Sequence, residues 1–137
     1  MDNQPKSRED SPCLFVLTGQ SNISNTKNPL SIIEFASSLG YHTVLDAAAL
    51  APSSTICVAD HPQLDAMVVS FYKMFGFPTG VGALIVKKSF LAQLKRPWFG
   101  GGTVAVVQAP GHLVTRSHII HEQFEVNLSC LFDNLFL

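Results

Sequence analysis

The stretch from Cys13 to Ala49 narrows the choice of fold more than any other. "CLFVL" (13–17) is an apolar run of strand length, and "TGQSNISNTKNP" (18–29) after it is dense in turn formers. "LSIIEFASSLG" (30–40) then sets Ile32, Ile33, Ala36 and Leu39 at helical spacing, with Pro29 before it and Gly40 as a stop. "YHTVLDAAA" (41–49) returns to a strand, with Asp46 at its C-terminal end. Strand, helix and strand in that order call for a crossover unit. The expected class is therefore α/β, a mostly parallel sheet with flanking helices.

The next segment continues the theme. "AMVVSF" (66–71) reads as a strand, a turn built from Gly76, Pro78, Gly80 and Gly82 follows, and "GALIVKK" (82–88) is another strand. Ser89 is a candidate cap for a short helix through Lys95, and "WFGGGTVAVVQ" (98–108) opens a glycine cluster onto a β-branched strand. "RSHIIHEQFEV" (116–126) fits strand or helix equally. The apolar tail "LSCLFDNLFL" (128–137) reads as a helix in need of cover. The polar start (1–12) is expected to be a disordered tail, leaving residues 13–137 as one partial domain.

Bulk properties remove several function classes. Of the 137 residues 47% are apolar and only 14% charged, so a core can form and some faces are expected to meet a partner surface. A net charge of −1 gives no electrostatic case for nucleic acid or an anionic membrane. No apolar run is long enough to span a bilayer. Cys13, Cys57 and Cys130 are odd in number and far apart, which suggests reduced thiols and a cytoplasmic setting.

Two residues invite chemistry. Asp46 ends an apolar strand and is followed by three alanines, small enough for a flat ligand to lie close to the backbone. Its plainer role is to cap the turn that follows. Lys73 lies in "SFYKMFGFPTGVGALIVKK" (70–88), among aromatics and just before the glycines. A surface lysine with its stem packed on Phe71 and Phe75 would look the same. A phosphate loop places its lysine after the glycines, so that role fails. A desolvated amine instead attacks a carbonyl and holds it as a Schiff base. A lysine of that kind, paired with a carboxylate for a pyridine nitrogen, is the set that pyridoxal 5'-phosphate requires. Ser70 and the backbone around Gly100 to Thr103 are candidates for its phosphate.

At these motifs the chain resembles the class V aminotransferase and cysteine desulfurase family, and within it the molybdenum cofactor sulfurases. The resemblance is carried by "SNISN" (21–25), "LDAAA" (45–49), the stretch around Lys73 and "FGGGTV" (99–104). It implies part of the major domain of a fold-type I pyridoxal-phosphate enzyme. Lys73 would carry the cofactor, Asp46 would meet the pyridine nitrogen and Asn22 would lie near the ring's phenolic oxygen. Ser70 would hold the phosphate, with Gly102 and Thr103 reaching a phosphate from a neighbouring subunit. L-cysteine and the molybdenum cofactor are the implied partners, and a homodimer or further domains the implied assembly. Ala49 and Tyr72 stand where many desulfurases of the wider family carry glutamine and histidine, which favours the sulfurase branch.

Departures from the family pattern carry equal weight. Its members are several times longer, so this chain is expected to be a fragment. A phosphate-binding turn, a ring-stacking aromatic and a persulfide-forming cysteine have no counterpart in it. The expectation is little activity from the isolated chain, and the alternative is a non-catalytic remnant or interaction module of the same ancestry. Asn25 replaces a glycine of the family loop and is the residue type that best tolerates such a position. The His118, His121 and Glu122 cluster lacks the spacing of a zinc motif, so no metal is expected.

Overall fold

The computed structural model describes residues 13–76, 80–98, 103–108, 110–111 and 113–124. The chain divides into two compact units, Met1–Lys87 and Lys88–Leu137. In the first, strands β1 (Leu14–Thr18), β2 (His42–Asp46), β3 (Ala66–Ser70) and β4 (Gly82–Val86) form one sheet in that order. β1, β2 and β3 run parallel, and β4 returns antiparallel to β3. The expected α/β class and the crossover between β1 and β2 are both present.

Helix α1 (Ser31–Ser38) makes that crossover and buries Ile33 and Ala36. It ends where Gly40 takes φ +89°, a conformation that costs glycine nothing, and Tyr41 N–H donates back to the Ala36 carbonyl at 3.2 Å. Phe15 pairs with Thr43 and Leu17 with Leu45, which in turn pairs with Met67. Residues in register share a face, so these side chains stand on one side of the sheet. There Leu17, Leu45, Met67 and Val69 join Ile33 and Leu50 in the core. Ile33, Leu45 and Thr43 are fully buried. The opposite face carries Leu14, Val16, Val68 and Leu84, all of which remain exposed.

Between β3 and β4 the sequence suggests only a turn, yet residues Phe71–Phe75 form a single helical turn, α2. Gly76 ends it at φ +85°. Gly82 has a different reason to be glycine: a Cβ there would lie 2.6 Å from the Val69 carbonyl oxygen, which is backbone and cannot rotate away. Gly82→Ala is therefore expected to cost about 2 kcal/mol, the usual penalty for overpacking. Thermal unfolding followed by far-UV circular dichroism checks it, and an unchanged midpoint would show that the strand pair can open without loss.

A buried polar cluster stands at the other edge of the sheet. His42 Nδ1 lies 3.0 Å from Asp65 Oδ2, and Thr43 N–H donates to the same oxygen at 3.1 Å. Lys87 Nζ donates to the Pro62 carbonyl at 2.6 Å and lies 3.4 Å from Asp65 Oδ1. Asp65 thus joins the start of β2, the start of β3 and the end of β4.

In the second unit, α3 (Lys88–Leu91) buries Phe90 and Leu91. It is shorter than the helix expected through Lys95. β5 (Val104–Val107) and β6 (Val114–Arg116) pair antiparallel, with a register shift between Val104 and Val106. The expected strand after the glycines is β5. Arg116 is in a strand, and the rest of the ambiguous stretch up to Phe124 lies in bends and turns. The tail helix and Cys130 lie outside the described residues.

Candidate active site

Parallel strands all present their carboxyl ends at one edge of the sheet, where open α/β folds bind ligands. Thr18 and Asp46 are in register, and so are Asp46 and Val68. The loops after β1, β2 and β3 therefore leave the sheet side by side. Asn22 lies in the first, Asp46 opens the second, and Ser70 and Lys73 belong to the third. Four of the six residues singled out in the sequence meet at this edge.

Lys73 and Asn22 are in direct contact. Lys73 Nζ donates to Asn22 Oδ1 at 2.5 Å, across 51 residues of sequence. Lys73 is half-buried, and among the described residues its amine meets a neutral oxygen. Among its described aromatic neighbours, Phe75 is 74% exposed and Tyr72 43%. The Tyr72 ring centroid lies 5.9 Å from Nζ, at the outer limit of a cation–π contact.

Asp46 fills the plainer of the two roles considered for it. Its Oδ1 accepts the Ala48 N–H at 3.0 Å, the turn-capping bond, and its backbone carbonyl accepts the Gly19 N–H at 2.8 Å. Oδ2 has no partner among the described residues. Ala47, the first of the alanines, is fully buried. Ser70 lies two residues beyond Val68, so strand alternation puts it on the same face as Asp46. Ser70 stands at the start of α2, but its hydroxyl makes no capping bond. An amine on a neutral acceptor, a carboxylate oxygen open on one side and an uncommitted hydroxyl suit the donor set of pyridoxal phosphate.

The loop that carries Asn22 is ordered by its own polar groups. Ser21 Oγ accepts the N–H groups of Ile23 and Ser24, both at 3.2 Å. Asn25 takes φ +58°, the left-handed conformation that the glycine-to-asparagine exchange anticipated. Thr103 is buried in the second unit, 2% exposed, and Gly102 lies outside the described residues. An apolar groove of about 300 Å³ runs past Ile56, Met67, Met74 and Phe75. It includes neither Lys73 nor Asp46. No three His, Cys, Asp or Glu side chains among the described residues are grouped to hold a metal.

Comparison with known proteins fixes the family. Residues 1–121 match the model of the aminotransferase class V family. The chain belongs to that family. This class V chain is 41% identical over 123 residues to the molybdenum cofactor sulfurase of Bos taurus, and 37% identical over 123 residues to that of Homo sapiens. Each match covers 83% of this chain and 14% of the relative, so the chain spans about one seventh of their length. Among solved structures, the apo cysteine desulfurase of Thermococcus onnurineus NA1 superposes with a TM-score of 0.65 at 27% identity, covering 82% of this chain and 27% of that one. The cysteine desulfurase CsdA of Escherichia coli gives 0.64 at 27% identity, covering 77% and 26%. The class V family depends on pyridoxal phosphate, and its sheet is that of a partial fold-type I domain.

Proposed function

We propose that this class V chain forms the lysine-bearing part of a pyridoxal-phosphate site in a molybdenum cofactor sulfurase. In the complete enzyme the reaction is desulfuration of L-cysteine, with sulfur passed on to the molybdenum cofactor. The observation that carries the reading is the meeting of Lys73 and Asn22 at the strand edge that also bears Asp46 and Ser70.

When bound, the cofactor supplies an electron sink for the bond broken in the amino acid. The chain's own residues supply placement. Lys73 Nζ is the attachment point, and when free it can carry a proton to or from the substrate carbon. Asp46, kept in place by its bond from Ala48, would hold the ring nitrogen through its other carboxylate oxygen and favour its protonated form. Asn22 is free to donate from Nδ2 to the ring's phenolic oxygen while Oδ1 faces the lysine. Ser70 offers its hydroxyl to the phosphate. Gly102 and Thr103 are proposed to reach a phosphate held by a neighbouring subunit. A cytoplasmic setting, where free L-cysteine is available, is part of the same proposal.

The test is covalent trapping. The purified chain is mixed with pyridoxal phosphate, reduced with borohydride and mapped by peptide mass spectrometry. A stable adduct concentrated on Lys73 is expected. No adduct there, or equal labelling of Lys87 and Lys88, sinks the reading.

The exposed sheet face formed by Leu14, Val16, Val68 and Leu84 favours a second reading, an interaction module of the same ancestry. Both readings expect the chain alone to release almost no alanine or sulfide from L-cysteine. Only the first expects the adduct.

A further inference from the structure

The side chains that seat Asn22 form a connected set outside the site itself. The loop after β1 is closed at its base by an antiparallel bridge between Gln20 and Lys27 and by Asn28, whose Nδ2 donates to the Thr18 carbonyl at 2.7 Å. From that base Lys27 Nζ crosses to the turn after β2. There it donates to Ser54 Oγ at 2.7 Å and to the Ser53 carbonyl at 3.3 Å. Ser53 Oγ in turn donates to Gln20 Oε1 at 3.0 Å, and Gln20 is buried. The turn they grip begins at Asp46: Ala48 N–H donates to its carboxylate, Ala51 N–H to the Ala47 carbonyl and Ser53 N–H to the Leu50 carbonyl.

We propose that Gln20, Lys27, Ser53 and Ser54 act as a clasp that positions Asn22 and, through it, the resting place of the Lys73 amine; the functional part of this claim rests on Lys73 being the cofactor lysine. The loop tip is stiffened by the bonds to Ser21 Oγ, so fixing the base fixes Asn22. Lys27 meets only neutral oxygens in these bonds, in a geometry that locates its loop. The clasp locks the end of β1 to the end of β2, and the bond from Lys73 to Asn22 adds the end of β3. Lys27 and Ser54 touch none of the proposed cofactor contacts and are positioning residues.

The test needs no cofactor. In the full chain, the rate at which each lysine is acylated by a small amine reagent is measured by isotope-ratio mass spectrometry at one pH. Asn22→Ala is expected to raise the rate at Lys73 about threefold, the factor from losing one ordinary hydrogen bond in partly wet surroundings. Lys27→Ala is expected to do nearly the same, and Lys27→Arg to restore the native rate. Lys87, held at the opposite edge by Pro62 and Asp65, serves as the internal reference and is expected to stay constant. An unchanged Lys73 in Lys27→Ala overturns the clasp. So does a parallel rise at Lys73 and Lys87, which reports general loosening. So, too, does a further rise when Lys27→Ala is added to Asn22→Ala. Because the borohydride experiment alone decides the cofactor reading, failure of one claim is visible independently of the other.

Discussion

Asp65→Ala is expected to destabilise the four-stranded sheet by about 3 kcal/mol, because it takes the acceptor from the buried His42 ring and from the Thr43 N–H at once, each left unsatisfied at about 1 to 3 kcal/mol. Asp65 is 7% exposed and His42 8%, so the groups left behind are shielded from bulk water. The Thr43 N–H loses its acceptor as well. A domain of ordinary stability has roughly 5 to 15 kcal/mol in total, so the loss is a large share of it and is well within measurement. Urea unfolding followed by far-UV circular dichroism measures the change. Lys87→Ala provides the contrast. Its side chain is 42% exposed and 3.4 Å from Asp65, so it should cost about 1 kcal/mol or less. Equal effects from the two substitutions would show that the carboxylate is bound mainly to lysine and not to the edge of β2.

This cluster also shows where the sequence stops being legible. His42 and Asp65 are 23 residues apart, one at the start of a strand and one just before another. Only the register between β2 and β3 brings them together, and neither stands in a pattern that announces a partner. Periodic features were readable because each repeats a local rule. Ile33 and Ala36 sit a helical step apart and both are buried, and strands occupy 14–17 and 66–70 of the apolar runs at 13–17 and 66–71. The five residues of α2 are too few to display a period, so a helical turn looked like the beginning of the glycine turn.

The glycines near Lys73 carry a related lesson. Beside a candidate cofactor lysine, glycines suggest a backbone brought close to a bound ligand. Gly82 instead makes room for the Val69 carbonyl, and Gly76 turns the chain out of α2. Both are needs of the chain itself. That Asn22, Asp46, Ser70 and Lys73 share one edge was legible because Asp46 and Ser70 end strands, Asn22 and Lys73 follow them, and a parallel topology gathers those ends. The clasp was not, since Lys27 and Ser54 are ordinary loop residues until the two loops are set side by side.

Asp46→Asn is expected to weaken pyridoxal phosphate binding about tenfold to a hundredfold while leaving stability within about 0.5 kcal/mol. The two effects separate because the two carboxylate oxygens have different tasks. Oδ1 accepts the Ala48 N–H, and an asparagine carbonyl oxygen accepts it equally well. Oδ2 is the one proposed to meet a protonated ring nitrogen, and the amide supplies neither its charge nor, in that position, an acceptor. A hydrogen bond to a charged group is worth about 1.5 to 3 kcal/mol, which sets the affinity range. Titration of the chain with the cofactor, read by borohydride-trapped yield at Lys73, gives the affinity, and urea unfolding gives the stability. An affinity equal to that of the native chain would reduce Asp46 to a turn cap. A large stability loss with intact affinity would do the same, by showing that the carboxylate serves the backbone on both sides.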